Sequence, residues 1–117
     1  MNIETFRSYC LGKKGVTEEF PFNENTLVFK VMGKMFALTD LENFESVNLK
    51  CDPEKAVQLR EEFPAVLPGY HMSKKHWNTV LMDGSIPDKL IKTWIDDSYN
   101  LVTVSLSKQL QLELKRI

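Results

Sequence analysis

Residues 26–41, TLVFKVMGKMFALTDL, read as two β-strands folded back on one another, and the fold is decided there. The branched and aromatic side chains of Leu27–Val31 and Met35–Leu38 suit a pleated, half-buried surface, and Met32-Gly33-Lys34 between them supplies the reversal. Immediately downstream, ESVNLKC places Val47 and Leu49 on one side and Ser46, Asn48 and Lys50 on the other. That period of two predicts a half-exposed strand extending the same sheet.

Helices flank this sheet region. Asp52-Pro53-Glu54 has the form of a helix start, with Asp52 as the N-cap and Pro53 in the first turn, where its missing N–H costs nothing. AVQLREEF supplies the apolar side, and Phe63-Pro64 predicts the end. Upstream, Ile3, Phe6, Cys10 and Leu11 recur at helical spacing, and the helix is expected to stop near Gly12. GVTEEFPFNENT then reads as an irregular connection whose Phe20-Pro21-Phe22 covers the core.

Beyond the second helix, PAVLPGY is expected to be a short connection and HMSKKHWNTVLM an extended segment, followed by a turn at Asp83-Gly84-Ser85. From Pro87 onward, Leu90, Ile91, Trp94, Ile95 and Tyr99 form a helical apolar stripe, which assigns Trp94 to the core. A further helix ends the sequence, with Ser105-Leu106-Ser107 as the point where it would part from the preceding one. The order predicts an α+β class: one compact domain, 1–117, with an antiparallel sheet packed with helices.

Composition narrows the function. The 117 residues are 43% hydrophobic and 26% charged, enough apolar residue for a real core and no need for a second domain. A formal net charge of −1 removes long-range attraction to phosphate as an argument, so any anion-binding surface must be local. MNIETFRSYC lacks the basic-then-apolar succession of a secretory signal, and no apolar run is long enough for a bilayer. A cytoplasmic protein without membrane contact is expected. Cys10 and Cys51 stand far apart and read as reduced thiols, Cys10 on the apolar side of its helix.

The chemistry-bearing residues concentrate in 68–83, PGYHMSKKHWNTVLMD. Tyr70, His71, Lys74, Lys75, His76 and Trp77 combine imidazoles, cations and aromatics, a mixture able to contact phosphate, stack on bases or engage a protein. The plainer alternative has the lysines solvating a loop while Tyr70 and Trp77 pack inward. His71 and His76 have no cysteine pair nearby to complete a zinc site, and no positioned nucleophile accompanies either imidazole. Asp96 and Asp97 are adjacent and diverge on a helix, and Met32-Gly33-Lys34 lacks the rest of a phosphate-binding loop. No cofactor and no catalytic set are expected.

Taken in order, GVTEEFPF, LVFKVMGKMFAL, VNLKCDPEKAVQLR, PGYHMSKKHWNTV, DGSIPDKLI and DDSYNLV resemble the MmcQ/YjbR family over nearly the full length. The resemblance implies a compact α+β domain of YjbR-like, secretion-chaperone-like arrangement and a DNA-binding role. On the same resemblance, Lys30 and Lys34 occupy basic hairpin positions, Asn48-Leu49-Lys50 the following strand, and Tyr70-His71-Met72 with Lys74-Lys75-His76-Trp77-Asn78 the long signature. Ser73 stands where the family form has asparagine, and Met32 where it often has glycine.

The leading expectation is a DNA-binding surface in which Lys30, Lys34, Lys50, Lys74 and Lys75 contact phosphates. His71, His76 or Trp77 would orient or stack, and Tyr70 and Asn78 are further candidate contacts. A protein-interaction module on the same surface is the alternative, and an enzyme using His71 or His76 the weaker third.

Overall fold

The computed structural model describes residues 1–117. In chain order the elements are α1 (Ile3–Leu11), β1 (Val16–Glu19), β2 (Thr26–Val31), β3 (Lys34–Asp40), β4 (Ser46–Lys50), α2 (Pro53–Glu62), β5 (Val66–Pro68), β6 (Trp77–Leu81), α3 (Asp88–Val104) and α4 (Lys108–Lys115). The strands form one antiparallel sheet in the order β1-β2-β3-β4-β6-β5. The α+β class holds.

The hairpin is as the sequence predicts. Val31 pairs with Lys34 across a two-residue turn in which Met32 and Gly33 both have positive φ, 49° and 86°. That geometry matches the right-handed twist of the strands; glycine adopts it freely, whereas Met32 carries some strain. A bulge between Phe29 and Lys30 makes Phe36 the extra residue of β3, so that Phe36 and Ala37 are both fully buried although adjacent.

Strand alternation sends Leu27, Phe29, Val31, Val47, Leu49 and Val80 to one face, where they join Phe6 and Cys10 of α1 and Ile91, Trp94, Ile95 and Val102 of α3 in a continuous core. Phe6 meets Phe29 edge to face at 5.6 Å, and Phe36 meets Tyr99 at 5.4 Å. Ser98, fully buried on α3, accepts from the Lys50 N–H at 2.9 Å and donates to the Phe36 carbonyl at 2.5 Å. One hydroxyl thereby fastens the long helix to β3 and β4. Burial in this core pushes the Cys10 thiol up to about 12, with Lys13 pulling the other way.

The helix starts follow local chemistry. Asp52 accepts from the Lys55 N–H to cap α2, Pro53 sits at its start, and Ser107 caps α4 by accepting from Leu110 N–H at 3.2 Å. Trp94 is core, meeting Phe63 edge to face at 5.2 Å.

Three expectations need correction. Val16–Glu19, read as irregular connection, is an edge strand held by β2; Val16 and Thr17 suit a strand, but four residues are too few to mark one without the partner. Phe20 and Phe22 do not cover the core; they are 47% and 62% exposed, because Asn23 folds the chain into a turn by accepting from the Asn25 and Thr26 N–H groups at 2.8 Å. The extended reading of 71–82 holds only for Trp77–Leu81, since 69–76 is a loop, and Val66–Pro68 before it forms the opposite edge strand.

Candidate functional site

No helix covers the other face of the sheet. The pairings Glu19–Val28, Val28–Leu38, Leu38–Asn48, Asn48–Thr79 and Thr79–Leu67 draw one row of side chains across all six strands. Its middle is apolar: Val28, Leu38 and Trp77 pack together, with Met35 and Met72 against them. Asn48 and Thr79 continue the row as polar groups.

The loop of residues 69–76 is set against this face by backbone geometry. Gly69 donates to the Trp77 carbonyl at 2.9 Å, and a Cβ there would lie 2.7 Å from the Trp77 Cβ, so only glycine allows the approach. His71 then takes a left-handed φ of 58°, and its ring lies 4.0 Å from that of Tyr70, centroid to centroid. Arg60 of α2 clamps the far side, donating to Asn78 Oδ1 at 2.7 Å, to the Trp77 carbonyl at 3.2 Å and to the Lys74 carbonyl. Sequence reasoning missed Arg60, whose only local signal is a cation in the last turn of a helix.

Over β3 and β4 the open face holds a cleft of about 510 Å³. Phe22 and Asn23 stand at the β2 side and Tyr70, His71 and Met72 at the β6 side; Leu38, Ser46 and Asn48 lie between, with Asp40 and Glu45 at one end. Tyr70 is 67% exposed. Its backbone N–H donates to Thr79 Oγ1 at 2.9 Å, and the Thr79 hydroxyl in turn donates to Asn48 Oδ1. This relay fixes the Asn48 amide and leaves its Nδ2 without a protein acceptor.

The expected site residues separate. Tyr70, His71, Trp77 and Lys50, which pairs with Trp77 on β4, belong to the open face. Lys74, Lys75 and His76 lie exposed in the loop bordering its Trp77 end. Lys50, Lys74 and Lys75 take part in none of the ion pairs, although Lys74 Nζ donates to the Gly69 carbonyl at 3.1 Å. Lys30 shares the face but is paired with Glu19 at 3.4 Å.

Lys34 and Asn78 are not part of this surface. The two-residue turn puts Lys34 on the helix side with Val31, where its Nζ reaches the Ser105 carbonyl at the end of α3, 3.3 Å away. Asn78 is buried on that same side, accepting from Arg60 and donating to the Ala56 carbonyl at 3.4 Å. Trp77 is only 7% exposed and serves as floor rather than as a free stacking surface. Phe22, Asp40, Glu45 and Ser46 are additions that the sequence did not signal, since they meet only when β2, β3 and β4 are paired.

No group of three or more His, Cys, Asp or Glu side chains is placed to hold a metal. No helix is long and apolar enough to cross a membrane. Cys10 and Cys51 are both free and buried.

Comparison with known proteins matches this architecture. A crystal structure of a Deinococcus radiodurans protein superposes with a TM-score of 0.90 at 40% identity, covering 97% of this chain and 88% of that one. A crystal structure from Pseudomonas syringae gives 0.74 at 31% identity, over 86% of this chain and 98% of the other. In sequence, the uncharacterized Escherichia coli O157:H7 protein YbdF is 39% identical over 113 residues, spanning 96% of this chain and 93% of its own. The uncharacterized protein YjbR of Escherichia coli K12 is 37% identical over 100 residues, 85% of each. The YjbR family model matches residues 11–101, and with the hairpin, the covered sheet and the loop of residues 69–76 all in place, the chain belongs to the YjbR family.

Proposed function

We propose that this protein binds single-stranded DNA on the open face of its sheet. The observation that carries the reading is the coincidence, on one surface, of a cleft roomy enough for an unstacked base, flanked by the exposed rings of Phe22 and Tyr70, with Lys50, Lys74 and Lys75, which stand outside every ion pair, at its Trp77 end. Phosphates follow the lysines; an unstacked base enters the cleft. Stacking on an aromatic ring contributes about 1–3 kcal/mol per base, and such bases are available in a single strand but not inside a duplex. The net charge of −1 makes the attraction local, so binding is salt-sensitive and modest in strength.

The test is fluorescence anisotropy of labelled single-stranded DNA, duplex DNA and RNA over a salt series, with the protein and its Lys74→Gln/Lys75→Gln variant. Single strands are expected to bind more tightly than duplex. The double substitution should weaken binding and flatten the dependence on log salt by roughly 1.4, at about 0.7 for each phosphate no longer neutralised. No binding to any of the three at low salt would overturn the proposal and leave the exposed aromatics to a protein partner.

A further inference from the structure

The cleft carries a donor and acceptor pattern as well as a size. At one end Asp40 is exposed; one of its oxygens accepts from the Glu42 N–H at 2.9 Å, and no lysine or arginine pairs with it. Two residues along β3, Leu38 faces Asn48, whose amide is held through the Tyr70–Thr79 relay with Nδ2 free. The two groups are diagonal neighbours on one face, about 7–8 Å apart along the backbone, a spacing that a base edge with a hydrogen bond at each end can bridge.

We infer that the base taken by this cleft is guanine, an assignment that rests on the nucleic-acid reading of the same face. A carboxylate accepts only, and two adjacent donors satisfy it best. Guanine offers N1–H and N2–H₂ side by side, with the O6 acceptor next to them for Asn48 Nδ2. Adenine and cytosine each set a single amino donor beside a ring-nitrogen lone pair, and thymine flanks its single N–H with carbonyl oxygens, so each offers Asp40 one donor where guanine offers two. A site built to hydrogen-bond a particular edge rejects the wrong one strongly, because its own polar groups are left unpaired. The placement also accounts for Asp40 and Glu45 on a DNA-binding face: the uncharged base meets the carboxylates, while the phosphates lie toward Lys50, Lys74 and Lys75.

The experiment compares three labelled strands by anisotropy: oligo-dT, the same strand with one central dG, and the same with deoxyinosine, which lacks the N2 amino group. The dG strand is expected to bind about tenfold more tightly than oligo-dT, with inosine between them. Asp40→Asn should remove that preference. The ratio of affinities is the readout, because deleting a negative charge raises affinity for every strand. Asp40 is at the surface, so the variant folds, and Asn48→Ala provides a second loss of preference at the other end of the base. Equal binding of oligo-dT and the dG strand by the unaltered protein would overturn the guanine assignment alone. Binding to none of them would overturn the nucleic-acid reading and the assignment with it.

Discussion

The two faces of one sheet are built from the same strands and differ in almost every other respect. The strand positions that point to the helices are mostly apolar and buried, and the few buried polar groups among them and on α3, namely Thr39, Asn78 and Ser98, all have hydrogen-bond partners. On the open face, apolar residues form only a small cluster around Trp77, and Asn48 and Thr79 beside it are hydrogen-bonding groups held in place by one another. Stability is concentrated on the first face, and the second is left free for the proposed ligand. Alternating side chains make the division possible, since changing one face leaves the other's contacts intact.

The largest effect is expected on the covered face, from Phe36→Ala. Phe36 is fully buried against the Tyr99 ring, and its truncation should cost about 3–5 kcal/mol in urea unfolding. A cost below about 1 kcal/mol would mean that the covered face does not hold the fold. Gly69→Ala comes next. It belongs to the open side but forces the backbone away from Trp77, which should cost about 1–3 kcal/mol and disturb the Tyr70–Thr79–Asn48 relay as well. Retained stability together with retained strand binding would show that the loop of residues 69–76 is not set by that close approach.

Alkaline pH tests the covered face in a second way. Burial raises the Cys10 thiol from 9.0 to about 12, so the folded state favours the protonated form. The resulting stabilisation is complete below about pH 9 and is lost as pH rises toward 12. Tyr9, also raised to about 12 first by burial and then by its hydrogen bond to Asp96, acts in the same direction. Denaturant melts across this range should show falling stability, with a shallower fall in Cys10→Ala. Equal slopes would remove Cys10 from the account.

The smallest structural effect is expected at the most exposed aromatic of the site. Tyr70→Ala should change stability by no more than about 0.5 kcal/mol while weakening single-strand binding by about 1–3 kcal/mol. The two faces are independent only if these readouts separate. If both fall together, Tyr70 supports the loop rather than the ligand.

Much of the covered face is legible in the sequence. The 26–40 hairpin, the Val47/Leu49 alternation, the Asp52 cap, the apolar stripe of α3 and the break before α4 are all local patterns, and each is found where its spacing puts it. The open face is less so. Tyr70, His71 and Trp77 stand out by type, but their roles differ: Tyr70 is free, Trp77 is floor, and His71 turns the chain. Lys34 and Asn78 look like neighbours of the site in sequence and lie across the sheet from it. Asp40 and Glu45 carry no local mark at all, since an exposed acid beside a turn is ordinary anywhere, and Phe22 beside Pro21 reads as a core anchor rather than as a residue of the site.

The class, the hairpin, the helix limits and the family follow from the residues alone, because these depend on side-chain period, capping and turn chemistry over a few positions. Folding in three dimensions was needed to settle which face stays open, that β4 pairs with β6 rather than β5, that Val16–Glu19 is a strand, and which cations are already satisfied. Those outcomes depend on partners distant in the chain. A strand edge, a cleft or an ion pair comes into being when non-local backbone is brought together, and no local pattern records which partner will arrive.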